Sequence, residues 1–235
     1  VRIATWNCCS GPTVPKLERL AALGVDVAVL CESPLLDPRA PGTVPDDQAS
    51  WVSAGELPKK GVAIAGLTTK VTGLDARSAG RWTVAAATSG GPAVLGVWSA
   101  PSDAGAAAYS AQVVRSLDAY ADLLTAGEMI VAGDFNIGQH IPAREARDWT
   151  LKARARWESL GLVSAYHAFT GEPFGSATTA TYYHRRKQDQ PFHIDYVLVP
   201  ADRLSSLRGV DIGTYDDWVA SRRSDHVPVI IDLDW

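Results

Sequence analysis

Apolar and polar positions along the chain fall into short blocks, and block after block ends on a polar residue. Arg2 to Asn7 alternates as a half-buried strand does and stops at the amide of Asn7, before the turn-rich Ser10, Gly11 and Pro12. Pro15 to Leu23 carries a helical stripe of Leu17, Leu20, Ala21 and Leu23, with Pro15 at a first helical position and Gly24 as the stop. Val25 to Leu30 is nearly continuous apolar sequence, the pattern of a strand covered on both faces, and it leads through Cys31 to Glu32. Asp37 to Gln48 is a Pro-rich loop, while Trp51 to Val71 and Trp82 to Ala87 read as short strands with the spacing of a sandwich.

Val94 to Trp98 predicts another strand, and Tyr109, Val113, Leu117, Tyr120 and Leu124 predict a helix over Tyr109 to Leu124 that Gly127 closes. Next comes the apolar run Met129 to Ala132, which enters the stretch VAGDFN, Val131 to Asn136. Gly133 suits a sharp turn, and an extended tip would put Asp134 and Asn136 on one side with Phe135 pointing into the protein. Ala143 to Leu160 reads as a third helix with Trp149, Ala153, Trp157 and Leu160 on one side, its tryptophans being core; Gly161 ends it before Leu162 to Tyr166. Thr178 to Gln190 is polar and interleaves Tyr182, Tyr183 and His184 with Arg185, Arg186 and Lys187, a composition that fits nucleic-acid or phosphate contact as well as a solvated loop. In the strand Phe192 to Val199, a period of two places His193 and Asp195 on one face and Tyr196 on the other. Ser224, Asp225 and His226 precede a last strand, Val227 to Leu233. A weak echo runs through this order: helix, glycine, apolar strand and acidic tip describe both Pro15 to Glu32 and Ser116 to Asp134, as two similar halves would.

The polar tips are then Asn7, Glu32, the pair Asp134 and Asn136, Asp195, and the pair Asp225 and His226. Sandwich loops gather strand ends at one rim, so these residues can converge. Carboxylates and an amide suit a hard cation such as magnesium better than zinc, and one histidine among acids fits acid–base chemistry.

Composition bounds the rest. With 235 residues and 46% hydrophobic positions the chain can bury a substantial core and reads as one unit, 1–235, with no linker dividing it. Its net charge of −4 gives no global attraction to polyanions, so any nucleic-acid contact must come from a local basic patch. No run approaches a membrane span and no signal peptide precedes Val1. Cys8, Cys9 and Cys31 are odd in number and two are adjacent, which suits neither a disulfide framework nor a zinc site; free, reduced thiols used as small buried residues in a cytoplasmic protein are the expectation.

In their order and approximate spacing, RIATWNC at Arg2 to Cys8, VLCE at Val29 to Glu32, VAGDFN, HIDYVLV at His193 to Val199 and SDHVPV at Ser224 to Val229 resemble the endonuclease/exonuclease/phosphatase superfamily, which includes deoxyribonuclease I and exonuclease III. The resemblance spans the chain. It implies an α+β fold, a four-layer α/β/β/α sandwich of two mainly antiparallel or mixed sheets flanked by helices, with its active site at one rim. It also implies divalent-metal-dependent hydrolysis of phosphodiester bonds, most simply by a monomeric nuclease acting on DNA with Mg2+, for which Mn2+ can substitute. By the same resemblance Glu32 holds the metal with Asn7 and Asp225, Asp134 orients or deprotonates the attacking water, Asn136 steadies the phosphate oxygens, His226 contacts the scissile phosphate, and Asp195 fixes its tautomer. Trp98, Arg185, Arg186, Lys187, Arg222 and Arg223 are the candidate substrate contacts, the basic ones to an extended polyanion. One position departs: where many members carry His or Tyr, GVWSAP has Trp98, which donates one hydrogen bond but exchanges no proton. The rival readings are a phosphatase or phosphodiesterase for a small molecule, lipid headgroup or inositol phosphate, and a catalytically silent binding module that keeps the fold.

Overall fold

Strands whose two faces are both apolar need cover on both sides, and the fold supplies it with two sheets packed face to face and helices outside each. The computed structural model describes residues 1–35, 50–57, 60–100, 106–138 and 144–235, so the Pro-rich loop expected over Asp37 to Gln48 lies outside the described residues. In chain order the elements are β1 (Arg2–Asn7), α1 (Val14–Ala22), β2 (Val27–Ser33), β3 (Trp51–Leu57), β4 (Lys60–Gly66), β5 (Val71–Gly73), β6 (Thr83–Thr88), β7 (Ala93–Trp98), α2 (Ala106–Ala119), α3 (Ala121–Thr125), β8 (Met129–Asp134), α4 (Arg144–Ser159), β9 (Leu162–Ser164), α5 (Ala165–Thr170), β10 (Tyr182–Tyr183), β11 (Pro191–Phe192), β12 (Asp195–Pro200), β13 (Leu207–Ile212) and β14 (Val229–Leu233).

One six-stranded sheet has the order β13-β14-β1-β2-β4-β3 and the other β5-β6-β7-β8-β12-β9. Each contains one parallel pair, β1 with β2 and β7 with β8, joined across α1 or across α2 and α3; the remaining pairs are antiparallel. The echo in the sequence is this repeated crossover. Alternate residues then separate three apolar layers. Ile3, Val27, Val29 and Ile64 meet Val94, Ile130, Ala132 and Val197 between the sheets. On one outer face Ala4, Ala28 and Leu30 pack under Leu17 and Leu20 of α1. On the other, Leu95, Val97 and Val131 pack under Val113 and Leu117 of α2 and Ala153 and Trp157 of α4. The α/β/β/α expectation stands.

Several local expectations change. The helix expected over Tyr109 to Leu124 breaks at Tyr120, whose φ of −120° leaves the helical region. Tyr120 is buried with its hydroxyl donating to the Asp75 carbonyl, and Arg77 takes the Ala119 carbonyl that the break leaves unpaired. Trp157 is core as expected, but Trp149 is half-buried with the Lys152 ammonium 3.8 Å from its ring. Gly133 makes no turn. It lies inside β8 opposite Val97, with φ 155°, and a Cβ there would stand 1.8 Å from the Val97 carbonyl oxygen. The last strand starts at Val229, two residues late, because Pro228 interrupts the ladder and Val227 donates instead to the Thr181 carbonyl.

Candidate active site

The ladders carry strand ends from both sheets to one rim. Asp134 ends β8, and the register puts Trp98 of β7 opposite it on one side and Asp195 of β12 on the other. From the facing sheet Asn7, at the end of β1, donates from Nδ2 to Asp134 Oδ2 at 2.9 Å and so bridges the two sheets. Asn136 donates to the same oxygen from Nδ2 at 3.0 Å, and its backbone N–H reaches Asp134 Oδ1 at 3.0 Å. Phe135, between them, is fully buried in the core under α4. His226 completes the centre, its Nδ1 2.9 Å from Asp195 Oδ2. The Ser224 hydroxyl fixes the backbone here by accepting from His226 N and donating to the Asn7 carbonyl. Asp195 is held in turn by Thr181 Oγ1, which accepts from the backbone N–H groups of both Ile194 and Asp195.

Burying two carboxylates and an imidazole together decides their charges. Desolvation and the neighbouring Asp195 push the Asp134 carboxyl up to about 7. Burial alone would lower His226, but the Asp195 carboxylate against it, with Asp134 and Asp225 beyond, raises it to about 9. Asp195 thus favours the protonated ring, with Nε2 as the nitrogen not bonded to Asp195. Among the described residues, Asp195 Oδ1 is buried without a hydrogen-bond partner. Asp134, Asp195 and His226 offer ligand atoms within 4.8 Å of one another, and two buried carboxylates, one of them with an unpaired oxygen, form a donor set that could hold a cation.

Glu32 reaches the same rim but not this cluster. It sits at a bulge in β2 with φ 49°, and its carboxylate pairs with Lys60 Nζ at 2.5 Å. Lys60 also lies 5.5 Å over the Trp98 ring. Trp98 itself is buried edge-to-face on Trp82, with 5.0 Å between ring centroids. Asp225 is half-buried beside Cys9, whose thiol is raised by burial and then by Asp225. The Arg186 guanidinium stands 3.6 Å from Cys9 Sγ. All seven non-glycine residues with positive φ among those described, Cys9, Ser10, Glu32, Asn136, Arg185, Arg186 and Arg222, lie in the segments carrying these groups, which is where backbone strain concentrates in functional sites.

Of the five basic candidates, Arg185, Arg186 and Arg222 line one cavity of about 740 Å³ with Tyr215, whose hydroxyl donates to the Arg186 carbonyl. Lys187 and Arg223 do not line it. The expectation for His193 fails. β12 begins only at Asp195, and the His193 ring packs 5.3 Å from Tyr196, the residue expected on the opposite face, with Nδ1 2.8 Å from the Thr179 carbonyl oxygen. The period of two cannot be carried across the break that Thr181 creates.

Three contributors went unread in the sequence, and a fourth, Tyr182, was read only as one aromatic of the basic stretch Thr178 to Gln190. Lys60 stands in a turn-like Lys-Lys-Gly. Lys16 sits on the first helix, buried, and donates to the Cys8 and Ser10 carbonyls that follow Asn7. Thr181 was one polar residue of a loop. The Tyr182 ring lies against His226, tilted by 37° with 4.5 Å between centroids, and its hydroxyl lies 2.9 Å from His184 Nδ1; its signal was the interleaving of aromatics with the arginines.

Comparison with protein families and with curated proteins finds no match for this sequence. Solved structures do match in fold. A 3'-5' exonuclease (NExo) from Neisseria meningitidis is 22% identical, with a TM-score of 0.74 and all of both chains covered. NExo from Neisseria, described as a 3' phosphatase bound to product DNA hairpin, is 21% identical with a TM-score of 0.74, covering 100% of this chain and 99% of that one. An AP endonuclease from Archaeoglobus fulgidus is 18% identical with a TM-score of 0.70, again over both whole chains.

Proposed function

From a chain that has the exonuclease III and deoxyribonuclease I fold, we propose a divalent-metal-dependent phosphodiester hydrolase whose substrate is nucleic acid, DNA in the first place. The observation that carries this reading is the Asp134 carboxylate, oriented by Asn7 and Asn136 and raised to about 7, beside a His226 cation held by Asp195. A base works best near the ambient pH, so Asp134 is the group to take a proton from the attacking water. Nε2 of His226 presents positive charge and a proton to the phosphoryl oxygens as charge accumulates on them. Asp195 keeps that ring charged and oriented. Because the Trp98 indole exchanges no proton, the departing oxygen draws its proton from Nε2 or from water.

The excess of buried carboxylate and the unpaired Asp195 oxygen fit a cation at this rim. Glu32, Asn7 and Asp225 would hold it, and a bound Mg2+ or Mn2+ would supply Lewis-acid polarisation of a phosphoryl oxygen. The cavity lined by Arg185, Arg186 and Arg222 supports contact with phosphates flanking the scissile one. A terminal phosphate is a further substrate of the same chemistry, in keeping with the 3' phosphatase description of one fold neighbour. Residues 1–235 would act as one monomeric unit. Three free thiols accord with a reducing, cytoplasmic setting, and no helix among the described residues is long and apolar enough to cross a membrane.

The deciding experiment is a panel of plasmid, single-stranded DNA, abasic duplex, RNA and an artificial phosphodiester, each with magnesium, manganese or chelator. Metal-dependent cleavage of a nucleic acid is expected. Cleavage of the artificial diester alone would favour a small-molecule phosphodiesterase, and inactivity on every substrate would favour the silent binding module.

A further inference from the structure

The Glu32 carboxylate already has a cation. Glu32 stands at the bulge in β2, out of the ladder between Cys31 and Ser33, whose partners on β4 are Val62 and Gly61. The residue before Gly61 is Lys60, so the irregularity that frees the Glu32 side chain also brings an ammonium to it from the neighbouring strand, and Nζ meets Oε1 at 2.5 Å. Water reaches both ends of the pair, since 19% of the Glu32 side chain and 37% of the Lys60 side chain are exposed. An ion pair at that depth is favoured by a factor of about five or less, weak enough to be exchanged. Lysine suits exchange, because its ammonium is a point charge on a flexible stem, without the two-pronged geometry by which arginine clamps a carboxylate. A second neighbour is at hand as well: Lys60 Nζ lies 5.5 Å from the centre of the Trp98 ring, within the range at which an indole attracts an ammonium.

Resting on the reading of Glu32 as a ligand of the divalent metal, we propose that Lys60 competes with the metal for that carboxylate. Lys60 neutralises Glu32 in the metal-free protein, is displaced when a divalent cation binds, and so sets the metal affinity of the site. One carboxylate cannot serve both partners: a divalent cation on Glu32 beside the ammonium sets like charges a few ångströms apart, and their repulsion exceeds what a partly exposed ion pair is worth. Trp98 keeps the displaced ammonium at the rim, beside the strand that carries Asp134. Lys60 is thus a positioning residue that acts through Glu32.

The test titrates Mn2+ into the whole metal-free chain by isothermal calorimetry with no substrate present, alongside melting temperatures with and without Mn2+. Lys60→Met should bind Mn2+ about fivefold more tightly than wild type, because nothing has to be displaced. Lys60→Arg keeps the charge but holds the carboxylate by two parallel hydrogen bonds, and should bind Mn2+ about threefold or more less tightly. The rise in melting temperature on adding Mn2+ should follow the same order, Lys60→Met above wild type and wild type above Lys60→Arg. Equal affinities in all three chains, or weaker binding by Lys60→Met, would overturn the proposal. Tightening in Lys60→Met with Lys60→Arg equal to wild type would overturn it too, because the charge would then act through its field and not through the pair. Glu32→Gln separates this proposal from the reading beneath it. If that variant binds Mn2+ as tightly as wild type, Glu32 is no metal ligand and both fall; if it loses Mn2+ while both Lys60 variants match wild type, the ligand stands and the competitor alone falls.

Discussion

Two buried histidine neighbourhoods in this protein have nearly the same hydrogen-bond geometry and opposite electrostatics. At the rim, His226 Nδ1 lies 2.9 Å from Asp195 Oδ2 and the ring is pushed up to about 9. In the cluster formed with Tyr166, Phe174 and Tyr196, His193 Nδ1 lies 2.8 Å from the Thr179 carbonyl oxygen and His167 Nδ1 2.9 Å from Ser164 Oγ. Burial lowers both rings there, His167 to about 4. Desolvation disfavours the imidazolium in both places, and only a carboxylate buried with the ring outweighs it; a carbonyl or hydroxyl at the same distance does not. Burial and hydrogen bonding therefore do not tell a histidine raised in pKa from one lowered. The charge of the partner does.

The comparison breaks most sharply at Glu32, the proposed metal ligand. Glu32→Gln, or chelator added to the wild type, should nearly abolish turnover, whereas loss of Glu172, the carboxylate bonded to Tyr166 of the aromatic cluster, should not; full turnover in excess chelator would remove the metal from the reading. Next, Asp134→Asn and His226→Ala should each cost on the order of a hundredfold in turnover with the far-ultraviolet spectrum unchanged, while His167→Gln leaves turnover within about twofold. Wild-type rates in either rim variant would place the chemistry elsewhere. Removing Arg185, Arg186 and Arg222 together should flatten the plot of log duplex affinity against log salt by up to about three units and spare a small diester, since each phosphate contact contributes about 0.9 to the slope. An unchanged slope would take the three arginines off the DNA path.

The smallest effect belongs to the neutral cluster. An unfolded chain protonates His167 near pH 6.5 and the folded one only near pH 4, so the unfolded state binds more protons between those values. Stability should be fully present above pH 6.5 and fall as the pH drops towards 4, with His193, Glu172 and Arg154 the neighbouring groups that set the window. His167→Gln should make the melting temperature less steep over that range by about a few degrees, measured by thermal denaturation at fixed ionic strength. An identical pH dependence in the variant would assign the acid sensitivity to another group.

Much of this was legible before any coordinates. Two similar halves were readable because each repeats helix, glycine and apolar strand, and a strand apolar on both faces must lie between two layers. Asn7, Asp134, Asn136, Asp195 and His226 were legible as polar residues at strand boundaries, and the structure brings them to one rim as two adjacent hydrogen-bonded groups, Asp134 with Asn7 and Asn136, and Asp195 with His226. Reading failed where a boundary depended on a distant group. Thr181 starts β12 at Asp195 and turns His193 away, Arg77 takes the carbonyl freed at Tyr120, and Lys60 pairs with Glu32 from the neighbouring strand. None of these partners is within a local window of the residue it redirects.

By itself the sequence determined which side chains stand at strand ends, because the alternation of apolar positions is a local property set by a period of two. It also determined that these ends are acids, amides and one histidine. Only the tertiary structure decided which of them touch: Asn7 meets Asp134 across 127 positions and His226 meets Asp195 across 31. It decided their charges too, since a pKa depends on burial and on the distance to the next charge, and neither exists until the two sheets have closed on one another.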